Sequence, residues 1–344
     1  MMNTNLIINK ISTGKTRGYM FMELEESISN NENLLIIDNK EEYYRTYTEK
    51  LKNKGYKVIV INFKTPEESN GFNPLLLAYN FYKKGFKDKA TRIINQIAKS
   101  ITYEEKSGDV FWSNSAADYM TGLCLTIFKY AEEEEINIGS IQAILSQLEI
   151  KENFNKFLEY INSLSVISSE YIYLSGTILS PIETRGGIVS VLRSELNKIV
   201  GSESLLNLLS TSEINLLEIP EKTAIFVISN EMHSKLSDIV ISEINNLEDK
   251  RFTYILDNAD NLEKISCLSD LLETSKTKEN TIYYISRNEE ILKDKYGKFI
   301  MDKFENIITD TSNYQLKSMG NYNMFPKLSL KENNYFDIKD IFNQ

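Results

Sequence analysis

Residues 5–19 read NLIINKISTGKTRGY, and this stretch decides the fold. Residues 5–8, which are apolar from Leu6 to Ile8, form a short predicted strand, and a helix-forming run follows Gly14, Lys15 and Thr16. A strand, a loop ending in Gly-Lys-Thr and a helix are typical of a phosphate-binding loop. In such a loop, backbone N–H groups and the positive end of the helix hold phosphate oxygens together.

The chemistry of the residues in this loop indicates what each of them would bind. Lys15 would neutralise the β- and γ-phosphates of a nucleotide such as ATP, and the Thr16 hydroxyl would bind Mg²⁺. The usual pattern has Gly where Asn9 stands, and Asn accepts positive φ better than most residues. The predicted nucleotide-binding residues are Ser12, Thr13, Gly14, Lys15, Thr16 and Arg17.

The composition indicates a folded protein and excludes several kinds of catalytic site. The 344 residues are 42% hydrophobic, which is ordinary for a folded chain with a large core. His233 is the only histidine, so sites that need a histidine cluster are excluded. The net charge of −10 argues against a surface that binds nucleic acid everywhere, although a local basic lining is compatible with it.

Cysteine usage and hydropathy indicate the compartment. Cys124 and Cys267 lie far apart without metal-ligand spacing, as expected for reduced core thiols. No apolar run approaches the length of a membrane span, and no signal peptide precedes the first strand. We therefore expect a cytoplasmic protein, with association at the inner face of the cell membrane left open.

Short β-branched runs alternate with helical patterns at both ends of the chain. Their apolar residues are continuous rather than alternating, as in a parallel sheet covered on both faces. Strand and helix repeated in this way predict a doubly wound α/β domain. After residues 5–8, the predicted strands are 34–37, 58–61, 223–228, 252–257, 281–285 and 306–308. The predicted helices between them include 41–54, 234–247 and one from about Leu262.

The middle of the chain has helical periodicity and no convincing strand. The simplest account is an all-helical domain, residues 81–217, inserted into the α/β domain. We expect Phe111 and Trp112 to be core anchors of this domain. Residues 1–80 and 218–312 would then form a discontinuous nucleotide-binding domain. Residues 313–344 are polar and aromatic without periodicity, and we interpret them as a C-terminal tail.

A nucleotide site of this kind also needs an acid at the end of a neighbouring strand. Asp257 follows the apolar residues 254–256, so it should emerge at the carboxyl edge of the sheet and hold Mg²⁺. A second acid beside it usually activates water, but the next residue is Asn258, which cannot accept a proton. Asp260 lies two residues further on, and we expect it to point elsewhere.

The order and spacing of several segments resemble the type IV coupling proteins of bacterial conjugation, the TraG/TraD group of hexameric ATPases that pump DNA. The resemblance runs from residue 5 to about residue 310. The segments that carry it are 14–19 (GKTRGY), 38–44 (DNKEEYY), 54–58 (KGYKV), 72–75 (FNPL), 109–112 (DVFW), 183–185 (ETR), 222–226 (KTAIF) and 257–261 (DNADN).

This resemblance implies a RecA-like P-loop domain with an inserted all-α domain. It implies that ATP and Mg²⁺ are the cofactors and that Lys15 and Asp257 are the catalytic residues, with Thr16 and Asp257 holding the metal. Single-stranded DNA and a relaxase are the implied partners, received by the helical domain and handed to secretion-channel proteins. Assembly as a homo-hexamer is implied, and a hetero-oligomer is the alternative. Family members usually carry a membrane-spanning segment before the loop, and we expect this chain to lack one.

Most departures from the family fall on catalytic positions. Asn9 and Ser12 replace loop glycines, Asn258 replaces the acid that activates water, and Ser286 or Arg287 stands where a Gln senses the γ-phosphate. Loss of a general base costs about 10²–10⁴ in rate. The sequence therefore predicts weak hydrolysis or none.

Three functions stay open at this point. The first is a DNA-translocating or DNA-recruiting ATPase, and the second is a catalytically inactive paralogue that acts as a binding or assembly subunit. The third is an unrelated P-loop kinase for a small molecule. Arg185 and Arg251 are candidates for an arginine finger across a subunit boundary, and the sequence does not choose between them.

Overall fold

The computed structural model describes residues 3–8, 15–103, 110–309 and 334–342. The chain divides into two compact units. Met1–Asn70 and Leu216–Lys327 form one, here called the sheet unit, and Gly71–Asn215 and Leu328–Gln344 form the other, the helical unit.

The strands are β1 (Thr4–Ile8), β2 (Asn33–Ile37), β3 (Lys57–Asn62), β4 (Thr223–Ile228), β5 (Phe252–Leu256), β6 (Thr281–Ser286) and β7 (Asn306–Ile308). The helices are α1 (Lys15–Ser29), α2 (Glu42–Asn53), α3 (Leu76–Lys83), α4 (Lys87–Thr102), α5 (Val110–Tyr130), α6 (Ile138–Gln147), α7 (Lys151–Ser163), α8 (Ser169–Ile178), α9 (Ile182–Val200), α10 (Glu203–Ser210), α11 (Ser234–Asn245), α12 (Leu268–Thr274), α13 (Glu289–Tyr296) and α14 (Lys339–Phe342).

The seven strands form one sheet in the order β3-β4-β2-β5-β6-β1-β7, and every pairing is parallel. All residues of β1, β2, β4 and β5 are buried, which requires cover on both faces of the sheet. The predicted α/β class with a doubly wound parallel sheet is confirmed.

One face of the sheet packs against α1 and α2. Met20, Leu24 and Ile28 recur on one side of α1 at helical spacing and are fully buried in a single apolar cluster with the strands. On α2, the Tyr44 ring meets Phe226 of β4 edge to face at 5.4 Å. Such aromatic pairs add about 0.5–1.5 kcal/mol to the stabilisation from burial.

The helical unit is built around α5, whose residues from 116 to 128 are almost all buried. No strand occurs among the described residues of this unit, in agreement with the predicted all-helical insertion. The segment 334–342 belongs to it: Phe336 is fully buried and its N–H donates to Ser140 Oγ at 3.0 Å. The Ile338 N–H donates to Gln147 Oε1 at 2.7 Å.

The units divide at 70/71 and 215/216, whereas the sequence analysis placed the limits at 80/81 and 217/218. The hydrogen bonds of Asn70 and Gly71 agree with a division between these two residues. The Asn70 N–H donates to Val60 O at 2.8 Å in the sheet unit, and the Gly71 N–H donates to Glu213 at 3.0 Å in the helical unit.

Two local expectations were wrong. The helix predicted from about Leu262 begins only at Leu268, because tertiary hydrogen bonds occupy the preceding backbone. The Ile265 N–H, for example, donates to the Tyr296 hydroxyl at 2.8 Å. Trp112 and Phe111, expected as core anchors, are 36% and 50% exposed.

Candidate functional site

The carboxyl edge of the sheet brings together the strand ends that the sequence analysis singled out. Strand β6 lies between β1 and β5, with Ile8 paired to Ser286 and Leu256 paired to Tyr284. Since the strands are parallel, the chain leaves β1, β6 and β5 at the same edge. Two strand spacings of about 4.8 Å therefore separate the start of the predicted loop from Asp257.

The structure describes the strand before the predicted loop and the helix after it. Ser12, Thr13 and Gly14 lie outside the described residues. The backbone at Lys15, Thr16 and Arg17 forms the first turn of α1, and β1 ends at Ile8. The chain thus runs from a buried parallel strand to a helix across residues 9–14, which is the context that a phosphate-binding loop requires.

Asp257 follows β5 at this edge, and Asp38 follows the neighbouring strand β2. Ile37 pairs with Leu256, so the two acids come next in the same register. The Asp38 carboxylate accepts hydrogen bonds from the N–H groups of Glu42 at 2.9 Å and Tyr44 at 2.8 Å, which fixes the start of α2.

Burial raises the pKa of Asp38 to about 7, although the Tyr44 N–H lowers it, and the negative charge of Asp257 raises it further. Two acids on adjacent strand ends favour a cation beside them. In the described residues, no group of three or more His, Cys, Asp or Glu side chains is arranged to hold a metal. Mg²⁺ commonly takes only one or two protein carboxylates and completes its shell with phosphates and water, so this edge fits Mg²⁺ bound with a nucleotide.

Asn258 adopts a left-handed conformation, with φ 53° and ψ 36°, at the start of the short 3₁₀ turn Ala259–Asn261. Its amide occupies the place expected for a water-activating acid. Asn is among the few residues that visit this conformation readily. Asparagine at position 258 therefore suits the backbone conformation of the turn, but it cannot activate a water molecule.

Asp260, expected to point elsewhere than the position of a water-activating acid, has its carboxylate bound to the end of β6. Its side chain is 2% exposed and accepts from Ser286 Oγ at 2.8 Å and from the Arg287 N–H at 2.6 Å. Arg287 Nε lies 3.3 Å from the same carboxylate. Asp260 therefore joins the β5 and β6 ends, a contact that the D-N-A-D spacing alone did not reveal.

Lys295 of α13 secures the turn after β5 from the other side. Its ammonium donates to the carbonyl oxygens of Asp260 at 2.7 Å and Leu262 at 2.5 Å. These charge-assisted hydrogen bonds hold the backbone in a non-helical path. Sequence reasoning missed Lys295 because no local pattern connects it to a turn over thirty residues earlier.

A cavity of about 170 Å³ opens at the opposite, amino edge of the sheet. Glu23, Glu26 and Glu32 line it, and the Tyr283 hydroxyl donates to Glu23 at 2.5 Å. Negative charge on this lining repels phosphate, so the cavity does not suit a nucleotide.

The two arginine-finger candidates have partners within their own units. The Arg185 guanidinium lies 4.2 Å from the Phe154 ring centre and donates to Ile178 O at 3.2 Å. Arg251 pairs with Glu32 at 2.7 Å, just before β5, at the amino edge of the sheet.

A family model described as "Type IV secretory system Conjugative DNA transfer" matches residues 12–330. The chain belongs to this family. The match extends over most of both units and includes residues 12–14 before α1 and the ends of β5 and β6. The comparison with curated proteins finds no match.

Solved structures similar to this chain include the bacterial conjugative coupling protein TrwBdeltaN70 in a trigonal form with sulphate. The TM-score is 0.59 at 13% identity, over 88% of this chain and 69% of that chain. The same values hold for plasmid coupling protein TrwB with the non-hydrolysable ATP analogue ADPNP and for TrwB with ADP and Mg²⁺. At this identity the likeness shows the fold: a RecA-like parallel sheet with a helical domain.

Two further findings bear on this family member. Among the described helices, none combines the length and the apolar composition that crossing a membrane requires. Cys124 and Cys267 are both buried and form no disulfide, as the sequence analysis expected.

Proposed function

We propose that this conjugative DNA transfer family member binds Mg·ATP at the carboxyl edge of its sheet. The observation that carries the proposal is that Asp257 and the β1–α1 connection emerge at one edge, with β6 between them. Ligands of open α/β sheets bind at that edge. The structures of TrwB with ADPNP and with ADP and Mg²⁺ support it, since TrwB shares the fold.

Each residue has a defined part in this proposal. The loop N–H groups, including those of Ser12, Thr13 and Gly14, would surround the phosphates, and Lys15 would offset their charge. Thr16 and Asp257 would hold Mg²⁺, which when bound screens the phosphate charge. Arg17 is in the first turn of α1, and its charge would add to the attraction of the helix N-terminus for phosphate.

The test is equilibrium binding of Mg·ADPNP to the full chain by titration calorimetry. We expect Lys15→Ala to weaken binding by about 100-fold, because a charge-assisted contact to phosphate is lost. Lys52→Ala is the matched control, an exposed lysine in the last turn of α2. Equal binding by Lys15→Ala and wild type would contradict the nucleotide site.

For conjugation, we propose that the chain recruits or moves single-stranded DNA together with a relaxase, as a ring or mixed oligomer beside the secretion channel. Family membership supports this role. Single-stranded DNA binding should weaken steeply with salt, because neutralised phosphates release counterions. Salt-independent or absent binding, in the presence of Mg·ADPNP, would count against the DNA partner.

A second candidate is a subunit that binds nucleotide but does not turn it over. Two observations favour it: residue 258 is an amide, and the only acid in the following 3₁₀ turn, Asp260, already accepts from Ser286 and Arg287. Neither side chain is placed to take a proton from water.

Steady-state ATPase measurements on wild type and Asn258→Glu separate the two candidates. The inactive subunit predicts no turnover by wild type above that of Lys15→Ala, with activity appearing only in Asn258→Glu. A wild-type rate of the order of 1 s⁻¹ or more, abolished by Lys15→Ala, would refute the inactive subunit.

A further inference from the structure

The last described part of the chain, residues 334–342 and here called the C-terminal segment, is packed against the helical unit. Phe336 and Ile338 are fully buried, and Ile341 is also buried. So short a segment cannot form a core of its own, so the rest of the helical unit must cover these three side chains. The C-terminal segment therefore fills a groove on that unit. It lies beyond residue 330, where the family match ends.

Polar side chains of α6 and its N-cap bind the backbone of the C-terminal segment at every second residue. Asn137, the N-cap of α6, donates through Nδ2 to Asn334 O at 3.0 Å. The N–H groups of Phe336 and Ile338 donate to side-chain oxygens of α6 at 3.0 Å and 2.7 Å. Contacts at residues 334, 336 and 338 have the two-residue period of an extended chain, so α6 recognises an extended backbone.

The C-terminal segment ends in the short helix α14, which packs on α7. The Lys156 ammonium of α7 lies 5.6 Å from the centre of the Phe342 ring. At the start of α6, an added Cβ on Gly139 would overlap the Tyr335 ring, so this glycine makes room for the segment. Hydrogen bonds to the backbone and buried alternate side chains are the two components by which proteins bind extended peptides.

Every contact described above joins the C-terminal segment to the helical unit, and none depends on the strand β7 that precedes it in the chain. Residues 310–333 connect the two in sequence, and a chain of that length reaches up to about 80 Å when fully extended. The segment of a neighbouring copy can therefore fill the same groove through the same contacts, as in domain swapping.

We propose that α6 and α7 form a peptide-binding groove, and that the C-terminal segment of one copy of the chain binds the groove of a second copy. The groove selects an extended backbone followed by a short helix, with apolar side chains at positions 336, 338 and 341. The proposal goes beyond the nucleotide site and does not depend on it. Its consequence is that two copies are joined through their helical units.

The first measurement is fluorescence anisotropy of a labelled peptide with the sequence of residues 334–342, NYFDIKDIF, titrated with full chains. The Phe336→Asp chain should bind this peptide saturably, because a charge at a buried position keeps its own segment out of the groove. Wild type should bind the peptide only near millimolar concentrations, because its own segment competes at an effective concentration of about 1 mM.

Two altered peptides test which side chains the groove selects. A peptide with Phe336→Asp should bind the Phe336→Asp chain at least about 100-fold more weakly, because a large buried apolar contact is lost. A peptide with Asp340→Ala is the matched control and should bind like the parent peptide, because Asp340 is exposed. Equal binding by all three peptides would contradict a specific groove.

Two glutamines of α6 test the groove from its other side. Gln147→Ala, added to the Phe336→Asp chain, removes the acceptor of the Ile338 N–H and should weaken peptide binding about tenfold. Gln142→Ala is the matched control, because Gln142 donates to Asn197 at 3.3 Å instead. Equal effects of the two substitutions would show that the peptide does not bind along this side of α6.

A mixture of two full-chain variants tests binding between copies. Phe336→Asp offers a groove without a ligand, and Ser140→Ala combined with Gln147→Ala offers a ligand beside a weakened groove. In sedimentation, the mixture should show an association that neither variant shows alone and that excess 334–342 peptide abolishes. The sensitivity to peptide distinguishes this association from assembly through any other surface.

Each outcome supports or refutes a defined part of the proposal. A folded Phe336→Asp chain that binds no peptide refutes the groove. Peptide binding without a peptide-sensitive association in the mixture shows that the segment acts only within its own chain, which refutes exchange between copies. If Phe336→Asp does not fold, the wild-type titration decides, and absence of binding at several millimolar peptide refutes the groove.

Discussion

At the residue scale, Asn258 shows how backbone conformation and chemistry compete for one position. With φ 53° the residue is left-handed, a conformation that costs most L-residues about 1–2 kcal/mol and Asn or Gly much less. A glutamate there would supply the missing acid but would meet this cost. The same side chain, Asn258, therefore favours the turn and leaves the position without a general base.

This gives a prediction at the same residue. Asn258→Ala should lower the free energy of unfolding by about 1 kcal/mol, whereas Asn258→Gly should change it by a few tenths, because glycine accepts positive φ without strain. Urea unfolding of the two variants measures the difference. Equal stability of the alanine and glycine variants would show that the left-handed conformation imposes no cost.

At the element scale, the helical unit depends on close packing of α5 against α8. Gly122 of α5 faces Leu174 of α8 so closely that an added Cβ would lie 2.6 Å from Leu174 Cγ. Gly176, on α8 itself, has no heavy atom within 4 Å of an added Cβ. One glycine is needed for the approach of two helices and the other is not.

The two glycines form a matched pair of variants. Gly122→Ala should destabilise the chain by about 1–3 kcal/mol through overpacking. Gly176→Ala should stabilise it by about 0.5–1 kcal/mol, because alanine loses less backbone entropy in a helix. Thermal unfolding of both variants decides this, and a stabilising effect of Gly122→Ala would contradict the packing of α5 on α8.

At the scale of the whole molecule, stability depends on an acid buried in α11. Glu243 is 1% exposed, and neither of its carboxyl oxygens has a hydrogen-bond partner among the described residues. Burial raises the pKa of Glu243 well above its ordinary value of 4.5. The folded chain therefore keeps a proton there that the unfolded chain releases.

The sign of the pH dependence follows. Above about pH 4.5 the folded state binds more protons at Glu243 than the unfolded state does. The free energy of unfolding therefore falls as pH rises, by up to about 1.4 kcal/mol per pH unit, until the pH reaches the pKa of Glu243 in the folded chain. Glu243→Gln removes the proton linkage. Its stability relative to wild type should therefore increase between pH 5 and pH 8 in urea unfolding.

The exposed Glu67→Gln is the control for this measurement, since it removes an acid of the same type from the surface. Its stability relative to wild type should not follow the same course with pH. A Glu243→Gln variant whose relative stability stays constant from pH 5 to pH 8 would show that Glu243 is charged in the folded chain.

The sequence by itself determined the local elements and the class of fold. Nearly continuous apolar runs such as 223–228 predicted buried parallel strands, and β4 has these bounds, because a strand covered on both faces is buried on both sides and is therefore mostly apolar. The strand before Gly14-Lys15-Thr16 and the acid after β5 were also readable, since each depends on neighbours in the chain.

Only the tertiary structure decided the order of the strands and the contacts between distant turns. The position of β6 between β1 and β5, the Asp260–Arg287 contact and the two Lys295 hydrogen bonds join residues from 27 to over 270 positions apart. No local periodicity encodes such pairs. They arise because strands separated in sequence share one edge, where their polar ends must satisfy one another's hydrogen bonds.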